Sequence, residues 1–210
     1  VLFLSLIGVL LSTLYAIKQN EIKKMLAYSS VAQLSYIIIA IMLLTPDGLT
    51  ASLIHVFNHS IIKTGLFLVV TILFINNKNV SIDDFSGLGE KYPLLMSAFV
   101  ILLLGLIGLP LTSGFISKWY LISAILQSDY WYISGIILIT SFMTFFYAWL
   151  LIEKIYFSAR LNHDASVATS YQLLCVYFLA ALTIYLGVDT SLTFGISEQI
   201  SNNFYSSINQ

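Results

Sequence analysis

Long apolar runs separated by short polar segments set the pattern of this 210-residue chain. Seven such runs lie at about 1–17, 29–44, 49–75, 93–109, 113–127, 131–157 and 171–188. About 20 helical residues cross a hydrocarbon layer of about 30 Å, so most of these runs are long enough to span. Membrane barrel strands need alternating polarity, and none of the seven runs shows it. The pattern predicts an all-α, polytopic transmembrane helix bundle with about seven spans over residues 1–190. The tail at 191–210 has weak amphipathic character, and the sequence assigns it no role.

Polar positions mark several ends. Ser30-Val-Ala-Gln33 reads as a capping box opening the second helix, and Thr45-Pro46-Asp47-Gly48 as a turn before the third. The stretch from Lys78 to Tyr92, with Asp83, Asp84 and Glu90, reads as a solvated connection. The fifth run is short, follows Leu109-Pro110-Leu-Thr-Ser-Gly114 directly, and carries Lys118 near its start. A short span behind a Pro/Gly break predicts a discontinuous helix near 109–127, whose freed backbone groups line a cavity. Glu153 and Lys154 fall near the end of the sixth run, where long side chains reach the interface, and Trp119, Trp131 and Tyr132 read as an interfacial aromatic belt. Lys18, Lys23 and Lys24 group with Lys78 and Lys91 on one side, leaving Lys154 and Arg160 for the other; the positive-inside rule makes the first group cytoplasmic.

Composition agrees with a membrane location: 59% of residues are hydrophobic and 9% charged, against about 25% charged in soluble domains. A net charge of −1 gives no electrostatic basis for nucleic-acid binding. The single cysteine, Cys175, excludes an intrachain disulfide and a multi-cysteine metal or iron–sulfur site. The first residues, Val1-Leu-Phe-Leu, lack an initiator methionine, a basic start and a small-residue cleavage site, so the first run reads as the continuation of something longer and not as a signal peptide.

The chemistry is concentrated in the third run, where His55, His59 and Lys63 recur every four residues. That spacing puts all three on one helical face, climbing roughly 12 Å along the axis. A lysine at the centre of a span costs ~2.5–3.5 kcal/mol on insertion scales, so Lys63 is expected to face protein, water or a counter-charge. Three readings compete. In a proton relay every group is used, since histidine titrates near about pH 6.5 and desolvation disfavours the charged form of a lysine. Metal or haem ligation by His55 and His59 is opposed by the cation one turn away and by the absence of Asp, Glu or Cys from the same run. In a structural reading, the histidines bond across helices and Lys63 is satisfied by a carbonyl or by a neighbouring subunit's carboxylate. Lys118 divides between a path residue and an interface anchor, depending on where its helix begins.

Four motifs occur in order: Gln19-Asn-Glu-Ile-Lys23-Lys24-Met-Leu-Ala-Tyr28-Ser29-Ser30; His55-x3-His59-x3-Lys63 with Leu66-Phe67; Gly87-Leu-Gly-Glu-Lys-Tyr-Pro93; and Gly108-Leu-Pro110-Leu-Thr-Ser-Gly114-Phe-Ile-Ser-Lys118-Trp. Together, up to about Phe157, they resemble the proton-conducting membrane subunits shared by Mrp-type Na+/H+ antiporters and the respiratory NADH:quinone oxidoreductase. The segment around Lys118 looks more like the antiporter D-type subunits. The resemblance implies a domain over 1–190 that conducts protons through Lys63 and Lys118, with His55 and His59 as the connecting relay and Ser29 and Ser30 on a wet path. Glu21 and Lys24 stand where the family commonly shows Asp and Arg, which keeps the charge sign.

Family subunits have roughly twice as many helices in two inverted repeats, and the chain resembles the C-terminal half, beginning near the eighth helix. It lacks the first repeat's glutamate–lysine pair and is expected to carry one half-path. The resemblance further implies other membrane subunits of an antiporter or respiratory complex as partners, a bacterial inner membrane as location, and H+ with Na+ or K+ as transported ions. No cofactor and no enzymatic chemistry of the chain's own are expected, and no residue is assigned to NADH or quinone. A respiratory subunit and a membrane scaffold without transport are the alternatives.

Overall fold

The computed structural model describes residues 1–75, 80–159 and 168–208. Lys78, Arg160 and His163 lie outside the described residues. Among those described, the regular elements are helices: α1 (Leu2–Ile17), α2 (Ile22–Ile41), α3 (Pro46–Leu73), a 3-10 turn (Asp83–Phe85), the short α4 (Leu88–Lys91), α5 (Pro93–Ile107), α6 (Ser113–Leu126), α7 (Ile133–Phe157), α8 (Ser170–Val188) and α9 (Ser191–Ile208). Four of these helices, α2, α3, α7 and α8, are long and apolar enough to cross a membrane, and α1, α5 and α6 are shorter apolar helices.

The longest element, α3, is the axis of the bundle. Its start is fixed by Thr45, whose side chain accepts from Gly48 N at 3.1 Å, by Pro46 in the first turn and by Asp47 beside the positive helix end. Its 28 residues extend about 42 Å. Residues of α2, α5, α6, α8 and α9 pack around it. One apolar cluster joins Ile62, Leu66 and Val69 of α3 to Phe99 and Leu103 of α5 and Leu151 of α7. A second joins Tyr36 and Ile39 of α2 to Leu121 and Ile125 of α6 and Ile137 of α7.

The fifth expected span is half of a broken crossing. From Gly65 toward His55, α3 meets Leu102, then Gly105 and Gly114, then Ser113 and Ser117. α5 and α6 therefore follow one another along α3. The break between them needs left-handed backbone at Gly108 (φ 86°) and at Leu111 (φ 71°). Leu111 is a bulky residue in a region that favours glycine, so this turn is strained. The break is closed tightly, since a Cβ on Gly114 would run into the carbonyl oxygen of Gly105.

Counting α5 and α6 as arms of one crossing reverses one sequence expectation. Lys154, expected opposite the lysine-rich loops, pairs with Asp83 at 2.8 Å, and its carbonyl accepts from Gly87 N. The α1–α2 turn lies on that same side, bridged by Ile22 N to Val80 O at 2.9 Å and Ile82 N to Asn20 O at 2.8 Å. Lys18, Lys23, Lys24, Lys91 and Lys154 thus share one end of the bundle, which strengthens the positive-inside signal.

One smaller expectation is also corrected. α2 begins at Ile22, with Ser30 inside it donating to Leu26 O at 3.0 Å, so Ser30-Val-Ala-Gln33 is not a cap. A capping box does open α8, at Thr169 and Gln172. The tail folds as α9, which packs along α3 and donates from Ser201 Oγ to Pro46 O at 2.7 Å.

Two predictions follow from these placements. Single cysteines at 24, 91 and 154, with Cys175 replaced, should all react with a membrane-impermeant thiol reagent from the same face of sealed vesicles; labelling of position 154 from the opposite face would refute the shared-side topology. Gly114→Ala should destabilise the protein by about 1–3 kcal/mol, read as a lower unfolding temperature in detergent, because backbone and not a flexible side chain must move.

Candidate functional site

The site is built on the inward face of α3. His55 and Lys63 are buried and His59 is half-buried. The two imidazoles, one turn apart, stack with centroids 6.1 Å apart and planes 2° from parallel. Lys63 Nζ turns away from them toward α2, donating to Leu26 O at 2.7 Å and to Ser29 Oγ. Of the two serines on the expected wet path, Ser29 touches Lys63. Ser30 is half-buried and bonds its own helix.

Lys118 is buried at 6% exposure, which removes the interface-anchor reading for its position. Its Nζ donates to Leu106 O at 3.2 Å and to Ile107 O at 2.7 Å. These carbonyls close α5, where the break deprives them of helical donors and the helix dipole is negative. Gly108 keeps the position open, since a Cβ there would come within 3.0 Å of Lys118 Cδ. Both lysines are thus solvated by neutral oxygens, which accept hydrogen bonds from an ammonium but do not take its proton.

α3 and α6 are joined by two side-chain bonds. His55 Nδ1 lies 2.9 Å from Ser117 Oγ, and Asn58 Nδ2 donates to Ser113 O at 2.9 Å. A small cavity lies where the histidine row meets Lys118, lined in part by Gln33, His55, His59, Gly105, Gly114 and Lys118. His59, Ser60, Lys63, Thr64 and Thr71 also line an open groove along the flank of α3, so one edge of the row borders the exterior of the described bundle.

A second polar row runs beside the first, and the sequence reasoning missed it. Tyr147 of α7 is buried near Ser29 and Thr144. Further along, Tyr36 OH and Thr140 Oγ1 are 2.6 Å apart, and the Tyr36 ring stands edge-on to His55 with centroids 5.9 Å apart. Hydroxyls therefore accompany the ladder from the level of Lys63 to that of His55. Their spacing on α7, at 140, 144 and 147, is a helical stripe that was available in the sequence. Asn58 and Gln33 were also missed, because a neutral amide in an apolar run carries no charge signal. Among the described residues, no three His, Cys, Asp or Glu side chains converge as metal ligands.

This geometry defines a polytopic α-helical membrane protein with two buried lysines and two histidines gathered at a broken crossing. The chain belongs to the transmembrane family described as NADH:quinone oxidoreductase/Mrp antiporter, whose model matches residues 1–144. Among curated relatives, it is 38% identical over 149 residues to NADH-quinone oxidoreductase subunit N of Desulforudis audaxviator (strain MP104C), covering 71% of this chain and 30% of that one. It is 31% identical over 192 residues to NADH-quinone oxidoreductase subunit M of Rickettsia prowazekii (strain Madrid E), covering 90% and 39%.

Among solved structures, the Mrp complex from Dietzia sp. DQ12-45-1b superposes with a TM-score of 0.87 at 21% identity, over 97% of this chain and 47% of that one. The archaeal membrane-bound sulfane sulfur reductase, a respiratory membrane complex, gives 0.87 at 26%, over 96% and 41%. The chain thus spans between a third and a half of the length of most of these proteins.

Asn58→Leu removes the donor that α3 offers to the carbonyl at the start of α6. The expected loss is about 0.5–1.5 kcal/mol, the net worth of one hydrogen bond, because Ser113 O keeps its helical partner in α6. It should appear as a lower unfolding temperature together with faster proteolysis between residues 108 and 112; unchanged proteolysis would mean that Asn58 does not hold the break.

Proposed function

We propose that the chain forms a proton-translocating half of a membrane subunit in a multisubunit complex, with protons exchanged between Lys63 and Lys118 through His59 and His55. The observation that carries this reading is the pair of buried lysines, each held among the described residues by neutral oxygens, with Lys63 one turn beyond the stacked histidines and Lys118 beside them at a shared cavity. Carbonyl contacts would satisfy a purely structural lysine equally well, so what favours the relay is that two such lysines stand beside one pair of stacked histidines. Here the charge is solvated, yet its acceptors cannot trap the proton, and each lysine must swing from its carbonyls to pass one on. Ser29 is the first hydroxyl that Lys63 meets.

Two power sources fit the same path. In cation/proton antiport, Na+ or K+ moves against H+; the resemblance around Lys118 and the fold shared with the Mrp complex support this reading. In a respiratory complex, redox chemistry in other subunits drives the step, and the names of the relatives cited above support that reading. Either reading places the chain among other membrane subunits, in a bacterial inner membrane.

The test is proton flux in vesicles carrying the complete complex. Lys63→Ala and Lys118→Ala should each lower flux at least about a hundredfold with assembly intact, the scale of losing a positioned acid–base group. Unchanged flux in both would leave a scaffold. Flux driven by a Na+ or K+ gradient alone would select antiport, and flux abolished by quinone-site inhibitors would select the respiratory complex.

A further inference from the structure

Gln33 Nε2 and His55 Nε2 are buried polar atoms without a hydrogen-bond partner. Gln33 is 2% exposed and His55 3%. Both side chains border the same cavity, beside His59 and Lys118, with a volume of about 10 Å³. A space of that size, edged by polar groups, admits one water.

The bond to Ser117 decides which nitrogen of His55 is free. Ser117 Oγ lies 3.1 Å from Gly114 O and 2.9 Å from His55 Nδ1. The carbonyl has no proton to give and the serine has one, so both bonds exist together only when Ser117 donates to Gly114 and Nδ1–H donates to Ser117. Neutral imidazole carries a single N–H, which leaves Nε2 a bare acceptor. The amide nitrogen of Gln33 is a donor only. A donor and an acceptor, both unpaired, therefore face a water-sized space.

We propose that Gln33 is a positioning residue of the proton path: its amide donates to one water that in turn donates to His55 Nε2, within reach of His59 and Lys118. This rests on the proton-path reading above. When Lys118 gives a proton to that water and becomes the neutral amine, the water passes a proton to Nε2, and His55 becomes an imidazolium with N–H on both nitrogens. The water then accepts from Gln33 and from Nε2–H, so its bonds stay matched in both states. The proton leaves by the same nitrogen, because Nδ1–H is committed to Ser117 and the Ser117 proton to Gly114. His55 is filled and emptied from the cavity side alone.

Two measurements on the complete complex test this. Electron cryo-microscopy at water-resolving resolution should place a water within about 3.2 Å of both Nε2 atoms. Gln33→Leu should slow proton flux about fivefold, the factor carried by one net hydrogen bond, and should raise the solvent deuterium isotope effect on flux, which a packing defect would leave alone. The proposal falls if no water joins the two atoms or if Gln33→Leu conducts at the unmodified rate. If that variant does not assemble, the water in the unmodified complex decides. Lys118→Ala, run in parallel, separates the two levels: unchanged flux there overturns the path itself, whereas lost flux there with normal flux in Gln33→Leu overturns only the role of Gln33.

Discussion

An ammonium group withdrawn from water must be solvated by the protein, and most of this bundle is arranged around doing so twice. Side-chain oxygens are scarce in apolar helices, and intact helices spend their carbonyls on their own amides. Lys118 solves the problem at a helix end, where Leu106 and Ile107 have carbonyls without helical donors. Lys63 solves it within an intact helix, sharing Leu26 O with the hydroxyls of Ser29 and Ser30. The break after Ile107, the left-handed Gly108 and the close approach of Gly114 to Gly105 all serve the first solution. The serine pair on α2 serves the second.

The bundle's two ends differ in construction. At the lysine-rich end, the α1–α2 turn, the connection through Ser81 to Lys91 and the end of α7 are stitched by backbone bonds and by the Asp83–Lys154 pair. The ion pair is partly exposed and adds little. The backbone bonds tie the start of α2 and the end of α7 to one connection, and α2 and α7 are the helices that carry Ser29, Tyr36 and Thr140 beside the row on α3.

Much of the architecture was legible in the hydrophobic pattern, because every apolar run of sufficient length is a helix here. The histidine–lysine row was legible because four-residue spacing and charge are both rare in such runs. Other features were hidden for physical reasons. α2 starts earlier than its apolar run because Lys23 and Lys24 lie where a helix emerges into a polar loop, so hydropathy stops short of the hydrogen-bonded turn. The side taken by Lys154 depends on whether α5 and α6 count as one crossing or two, which only their shared track along α3 decides. α9 has too little apolar character to be recognised alone and is defined by its packing on α3. Gln33, Asn58 and Tyr147 carry no charge, and their roles come from partners far away in sequence.

Three of the four acceptors around the lysines, the oxygens of Leu26, Leu106 and Ile107, are backbone atoms. They persist whatever side chain stands at those positions. A genetic scan of the site would therefore reveal the donors and pass over most of the acceptors, and the sequence would be free to drift at 26, 106 and 107 among residues of similar bulk. The electrostatics of this path are written in the course of the main chain, and an ester replacing a peptide link would perturb it where no codon change can.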